Sequence, residues 1–179
     1  MKFEPTLHKL PSGLTVILDP MDLETTTISV LFKTGSRDET PAEMGITHFC
    51  EHMLCKGTTR FPTSRAFDNF MDFNGGTKNA RTNNTALELC GRILAENANL
   101  LLDVFADQLQ NSLFDPEKIE VERTVIKDEL RRASDKPERQ LIDFISGKLF
   151  NYATGSLRTL GTYETIDSFT RDQMLAFLQ

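Results

Sequence analysis

The sequence predicts an α+β fold of two layers, in which an antiparallel or mixed β-sheet packs against α-helices. Residues 14–18 and 26–33 are rich in β-branched side chains and end at turn-forming residues, which favours two strands paired antiparallel. Residues 77–93 mix Thr, Asn and apolar residues with some alternation, which predicts two further strands joined near Asn83 and Asn84. Hydrophobic residues make up 39% and charged residues 26%, without a long apolar run, which is typical of a globular chain with no membrane span.

Helix boundaries are marked by capping residues. Thr40, Pro41 and Glu43 supply a cap, a first-turn proline and the acidic residue of a capping box, so we expect a helix from there to about Gly57. A second helix is expected over residues 63–70, where Thr63 can cap and the run Asn-Gly-Gly that follows ends the pattern. Four more helices are expected: over residues 100–109, behind Asp115 and Pro116, after Pro137 with Leu141, Ile145 and Leu149 as its apolar residues, and from Thr170 with Gln173 in a capping box.

The length and charge of the chain limit its domain organisation and its partners. A chain of 179 residues can bury one substantial core, so we expect residues 1–179 to form a single domain. The net charge of −6 disfavours binding to nucleic acid or to an anionic membrane. Residues 1–10 lack the apolar core of a signal peptide and the Arg-rich pattern of a transit peptide, which favours a cytoplasmic location. Cys50, Cys55 and Cys90 have no Cys-x-x-Cys spacing and are expected to be reduced thiols that pack as small apolar side chains.

The run His-Phe-Cys-Glu-His at residues 48–52 places two imidazoles and a carboxylate on one side of a helical turn. On a helix, His48 and His52 are four residues apart and face the same side, with Glu51 beside them. Neutral imidazoles bind Zn²⁺ and leave the carboxylate free to accept a proton from a water molecule activated by the metal. The order is that of the His-x-x-Glu-His motif of zinc hydrolases. The run therefore predicts one Zn²⁺ per chain, with His48 and His52 as ligands and Glu51 as the general base.

A catalytic zinc ion takes three protein ligands, so a third ligand is expected elsewhere in the chain. The predicted helix behind Pro116 carries Glu122 and Glu129, which are seven residues apart and lie on nearly the same face. Two carboxylates on an otherwise apolar face are costly unless they are paired or bind a cation. The spacing alone does not choose between them, and Glu120 and Asp128 are weaker options.

The residues around the motif resemble a known family. The run Gly-Ile-Thr-His-Phe-Cys-Glu-His-Met-Leu-Cys-Lys-Gly-Thr at 45–58 is similar to the signature of the pitrilysin, insulin-degrading enzyme and mitochondrial processing peptidase family of zinc metallopeptidases. The resemblance covers nearly the whole chain, through residues 10–18, 35–36, 79–82, 119–129 and 157–161, the last of which is similar to the processing-peptidase branch. It implies a processing-peptidase-like metallohydrolase fold.

The resemblance also implies which residues carry the chemistry. In this family the third zinc ligand is a Glu at the end of the run 119–129, which is Glu129 here, and Glu122 matches a second Glu that supports the catalytic site. The strand with Asn79 and Ala80 resembles the sheet edge that binds an extended peptide substrate. Family members join two such domains. The resemblance therefore implies a second homologous domain or subunit that completes the site, and an N-terminal catalytic domain over 1–179 that is incomplete at its C-terminal end.

Two functions of different classes are compatible with these residues. The first is a zinc metalloendopeptidase that hydrolyses peptide bonds of an extended peptide or unfolded polypeptide. The second is a noncatalytic or structural homologue, such as an inactive partner or core-type subunit, or a fragment that binds zinc without turnover. The complete set of motif residues favours the endopeptidase, because noncatalytic members of the family usually lose some of them.

Overall fold

Two antiparallel sheets form the strand layer of the computed structural model, which describes residues 4–149 and 159–178. The smaller sheet pairs β1 with β2, and the larger sheet has the order β3-β5-β4. The strands are β1 (Thr6–Lys9), β2 (Thr15–Leu18), β3 (Thr25–Phe32), β4 (Thr77–Thr82) and β5 (Leu87–Leu94). The two predicted strands within 77–93 are thus confirmed, and β4 lies at an edge of the larger sheet.

The predicted pairing of the first two strands is wrong. β2 pairs with β1, with Thr6 opposite Leu18, and β3 pairs with β5 over its whole length. The turn between β1 and β2 contains Gly13 at φ 89°, a left-handed conformation that suits a tight hairpin turn and that glycine adopts at little cost. Sequence reasoning missed β1 because its four residues include only one apolar side chain.

Seven α-helices and one 3₁₀ turn are found in the part of the chain that the structure describes. They are α1 (Ile46–Leu54), α2 (Ser64–Phe73), the 3₁₀ turn Ala95–Asn97, α3 (Ala98–Asn111), α4 (Pro116–Ser134), α5 (Pro137–Leu149), α6 (Tyr163–Ser168) and α7 (Arg171–Phe177). The caps expected at Thr63, Asp115 and Thr170 are confirmed, since each side chain accepts a backbone N–H of its helix. α6 was not expected, because its capping box uses Thr165 in place of the usual Glu or Gln.

One face of the larger sheet forms part of the core. Alternate residues of β5, the central strand, point to this face and are buried, while Ile28 and Val30 of β3 pack beside them. This cluster joins the sheet to α2 and α3 through Phe67, Met71, Leu101, Val104 and Phe105. A second cluster packs α1 against α4, α6 and α7 through Phe49, Met53, Ile126, Ile166 and Met174. Helices therefore cover one face of the sheet, as the predicted two-layer arrangement requires.

The apolar residues of α5 do not join either cluster. The helix forms where it was expected, but Leu141, Ile145 and Leu149 are 58%, 45% and 72% exposed. Their helical spacing predicted a helix correctly but not a buried face. Among the helices in residues 4–149 and 159–178, none is both long enough and apolar enough to cross a bilayer.

The helix that carries the His-x-x-Glu-His run begins later than expected. Residues 40–43 form a separate turn, in which the Glu43 N–H donates to Thr40 O, and α1 starts only after Gly45 at φ 91°. The cap comes from Glu39, whose carboxylate accepts the Gly45 N–H at 2.8 Å and the Thr47 N–H at 3.0 Å. Burial raises the pKa of Glu39, and these backbone hydrogen bonds offset only part of that shift. The backbone N–H groups at this helix end have no partner within the helix, and together with the helix dipole they favour an ionised Glu39.

A close backbone contact fixes the N-terminal end of α1 against the chain that precedes α6. A Cβ atom on Gly161, at φ 79°, would lie 2.4 Å from Met44 O, so no larger residue fits there without a backbone shift. Thr165 Oγ1 donates to the same carbonyl at 2.7 Å. Of the segment 157–161 that resembles the processing-peptidase branch, residues 157 and 158 lie outside the described residues.

Replacing Glu39 by Ala is expected to lower the free energy of unfolding by about 1–3 kcal/mol, because two buried N–H groups lose their acceptor. Urea unfolding followed by circular dichroism measures this change. Glu43→Ala is the matched control, since it removes a carboxylate that bonds to the exposed Thr40 in the adjacent turn. Equal losses for the two variants would contradict the capping role of Glu39.

Candidate metal centre

α1 and α4 bring three potential metal ligands together. His48 and His52 lie on one face of α1, with ring centroids 4.6 Å apart, and Glu129 of α4 faces both rings. Glu129 Oε2 is 3.7 Å from His48 Nε2 and 3.7 Å from His52 Nε2. One ligand atom from each of the three residues lies within 4.8 Å of the others.

These distances fit a tetrahedral zinc site. Ligand atoms about 2.1 Å from a tetrahedral zinc ion are separated from each other by roughly 3.4 Å. The two observed separations of 3.7 Å are close to this value and the third ligand pair lies within 4.8 Å, so the side chains would move inward to bind the ion. Two imidazoles and one carboxylate are also a donor set that catalytic zinc sites use, with a fourth position left for water or substrate.

His48 has the protonation state that a metal ligand needs. Burial, together with the nearby His52, lowers the pKa of His48 to about 4, so its ring is neutral at pH 7 and carries one lone pair. Its Nδ1 atom is buried and has no hydrogen-bond partner among the described residues. A buried ring nitrogen without a partner costs free energy. The Nε2 atom, which faces Glu129, is the nitrogen available for a metal.

Glu122 lies behind His52 and holds its ring. The Glu122 side chain is only 3% exposed, and His52 Nδ1–H donates to its Oε2 at 2.8 Å. Burial raises the pKa of Glu122, but hydrogen bonds from His52 and Lys56 outweigh burial and leave the pKa below its usual value. An ionised Glu122 keeps the His52 proton on Nδ1 and leaves the Nε2 lone pair directed at the site. The carboxylate thus orients a ligand and does not face the space beside Glu129.

Lys56 is a site residue that sequence reasoning missed. Its Nζ lies 2.7 Å from Glu122 Oε1, so Glu122 is paired on both oxygens. The spacing could have indicated this role, because Lys56 is four residues after His52 and so lies on the same side of the chain, just beyond the end of α1.

Glu51 is held by the edge strand of the larger sheet. Thr82 Oγ1, at the end of β4, donates to Glu51 Oε2 at 2.7 Å. Burial raises the pKa of Glu51, Glu129 adds to the shift, and Thr82 and His52 offset part of it. A carboxylate with a raised pKa is a stronger proton acceptor, which suits a general base working near neutral pH. Thr82, like Lys56, was not expected as a site residue.

Asn79 and Ala80 lie on the same edge strand. Of the strands that the structure describes, β4 pairs only with β5, so one side of its backbone has no strand beside it. Ala80 and Thr82 lie on the same face of the sheet, and Ala80 packs against the cluster that joins the sheet to α2 and α3. Asn79 is exposed on the opposite face. Cys50 packs as a buried side chain, as expected, with its Sγ 3.7 Å from Met174 O.

Comparison with known proteins identifies the family. The sequence model of insulinase, peptidase family M16, matches residues 16–163 of this chain. The chain belongs to peptidase family M16. This confirms the family that the motif and its flanking residues resemble.

Relatives in family M16 support the same assignment. The chain is 36% identical over 178 residues to an uncharacterized zinc protease of Rickettsia bellii, covering 99% of this chain and 43% of that protein. It is 33% identical to the probable mitochondrial-processing peptidase subunit beta of Arabidopsis thaliana, covering 98% of this chain and 33% of that protein. A crystal structure of a protease from Helicobacter pylori superposes with a TM-score of 0.90 at 24% identity, over 98% of this chain and 42% of that chain. The predicted fold is therefore confirmed, and the chain spans well under half the length of these family members.

Replacing Lys56 by Met is expected to weaken zinc binding about tenfold, because Glu122 loses one of its two partners and holds the His52 ring less firmly. Competition with a chromophoric zinc chelator measures the dissociation constant. Lys56→Arg should restore most of the affinity by keeping the charge.

Lys9→Met is the matched control for this measurement, since it removes the same charge from β1, a strand with no residue in the site. Zinc affinity that stays the same in Lys56→Met and Lys9→Met would contradict the supporting role of Lys56.

Proposed function

We propose that residues 1–179 are the N-terminal catalytic domain of a zinc metalloendopeptidase that hydrolyses peptide bonds in an extended peptide or unfolded polypeptide. The observation that carries the proposal is the convergence of His48, His52 and Glu129 within 4.8 Å, with Glu51 beside them on the same helix. Membership of family M16 and relatives named as zinc proteases support it.

In this proposal the three ligands hold one Zn²⁺ and Glu51 moves the proton. A bound zinc ion supplies Lewis-acid polarisation of the scissile carbonyl and activates water for attack. Glu51 takes the proton of the attacking water and later gives it to the leaving amine. Thr82 holds Glu51 Oε2, so the second oxygen is the one that accepts the proton.

The substrate is proposed to lie along β4. An extended peptide added to this edge can form main-chain hydrogen bonds with the unpaired side of the strand, next to Asn79 and Ala80. Thr82, at the end of the same strand, bonds to Glu51 and so connects the peptide-binding edge to the general base. A peptide in this position would lie near Glu51, which is on the same helix as two of the three ligands.

A second homologous domain or subunit is proposed to complete the working enzyme. The chain spans 43% of the Rickettsia relative and 42% of the Helicobacter pylori protease, so each has room for a further unit of similar size. Such a unit would supply part of the substrate site.

Replacing Glu51 by Gln is expected to leave zinc content unchanged and to lower kcat for peptide cleavage by about a hundredfold or more, because the amide cannot accept the proton. A quenched fluorescent peptide and elemental analysis of the same preparation give the two readings. Thr82→Val, which keeps the carboxylate and removes only its hydrogen bond, should have a smaller effect on kcat. Full activity in the Glu51→Gln variant would rule out Glu51 as the base.

Replacing Glu129 by Gln is expected to reduce zinc content from one ion per chain to well below that, since a neutral amide is a poor zinc ligand. Elemental analysis after dialysis against a weak chelator measures this. Glu120→Gln serves as the control, because Glu120 lies on the same helix but bonds to Arg123 and is not in the ligand group. Loss of zinc from the control and its retention in Glu129→Gln would reverse the ligand assignment.

A further inference from the structure

An open cavity of about 310 Å³ lies next to the candidate metal centre. It is formed where α4 ends and α5 begins, and it is lined by Glu129, Arg132, Ala133, Lys136 and Arg139. Glu129 is the residue shared with the ligand group. Glu129 thus connects the cavity to the candidate metal centre.

The lining of this cavity is basic although the chain is acidic overall. Three of its five residues are Lys or Arg, whereas the whole chain has a net charge of −6. Its one carboxylate, Glu129, is engaged by the metal in the proposed function. The other ionisable groups of the cavity, those of Arg132, Lys136 and Arg139, are cationic.

Arg132 and Lys136 are available to a ligand in the cavity. Arg132 Nε donates to Asp128 O at 3.2 Å, which holds the guanidinium close to the helix without using a carboxylate. Among the Asp and Glu side chains that the structure describes, none has an oxygen within 4 Å of the charged nitrogens of Arg132 or Lys136. Two unneutralised cations that face one concave space favour an anion there.

The size and position of the cavity fit one side chain of a bound peptide. A volume of about 310 Å³ is at the lower end of the range for small-molecule sites, roughly 300–1,000 Å³. Arg132 follows Glu129 by three residues on α4, about 5 Å along the helix, and Lys136 lies in the turn between α4 and α5 and lines the same cavity. An extended peptide advances about 3.3 Å per residue, so a peptide residue about two positions from the metal is within reach of Arg132.

We propose that this cavity is a specificity subsite for a carboxylate of the peptide substrate, located within about three residues of the cleaved bond. The carboxylate comes from an Asp or Glu side chain or from the free C-terminus of a short peptide. Arg132 and Lys136 bind it. The inference rests on the proposed function, since it requires a peptide that passes the metal centre.

Two sets of peptides distinguish the two sources of the carboxylate. In the first set both ends are blocked, and one Glu is moved through successive positions around the cleaved bond and compared with Gln at the same position. In the second set the peptide carries no acidic side chain, and its C-terminus is free or amidated. Cleavage is measured as kcat/KM with the zinc-loaded chain, and binding is measured as Kd with the zinc-loaded Glu51→Gln variant.

We expect one position at which Glu is preferred over Gln by about five- to tenfold, with a smaller preference at high ionic strength. The double variant R132Q/K136Q should reduce this ratio to near one, and R132E/K136E should reverse it in favour of Gln. Arg131→Gln is the matched control, because Arg131 lies on the same turn, pairs with Asp128 and does not line the cavity. Circular dichroism of each variant verifies its fold.

The outcomes separate this proposal from the proposed function. Cleavage with equal rates for Glu and Gln at all positions, or a Glu preference that R132Q/K136Q retains, overturns the subsite and leaves the peptidase standing. A Glu preference in Kd that the double variant removes supports the subsite, even if the chain cleaves none of the peptides and the peptidase proposal fails. Preference for the free C-terminus alone assigns the cavity to the terminal carboxylate.

Discussion

The hydrogen bond between His52 and Glu122 is the interaction on which the rest of the site depends. It joins α1 to α4, the two helices that carry all three candidate ligands. Glu122 is almost completely buried, and a buried carboxylate without partners costs several kcal/mol. His52 and Lys56 remove that cost by pairing with both oxygens. The same contact therefore stabilises the packing of the two helices and orients the ring that would bind the metal.

Features that depend on neighbouring residues could be predicted from the sequence. The caps at Thr63, Asp115 and Thr170 each accept a backbone N–H two or three residues further along the chain, so the start of each helix is determined by the local sequence. The spacing of His48 and His52 likewise fixes their common face without knowledge of the fold. The choice of Glu129 over Glu122 was different, because both lie on nearly the same helical face. Only the family resemblance separated them, and the structure places Glu129 toward the two Nε2 atoms and Glu122 toward Nδ1.

Features set by distant contacts could not be predicted. Thr40 and Glu43 have the pattern of a capping box, yet α1 begins at Ile46 because a left-handed Gly45 and the buried Glu39 determine its first turn. The pairing of β3 depends on β5, more than fifty residues further along the chain. Strand pairing and capping by distant residues both depend on which groups become buried in the fold. No short window of a single sequence contains that information.

The link between Glu51 and Thr82 couples the proposed base to the proposed substrate strand. Thr82 pairs with Leu87 of the central strand, so the position of the base is tied to the larger sheet and through it to the core. A peptide bound along β4 would be placed by the backbone of the strand that also holds the base. A shift of the strand would then move the peptide and the base together and preserve their relative geometry. Rigid support of this kind is what an accurate proton transfer requires, and the hydrogen bond between the edge strand and the metal-site helix supplies it.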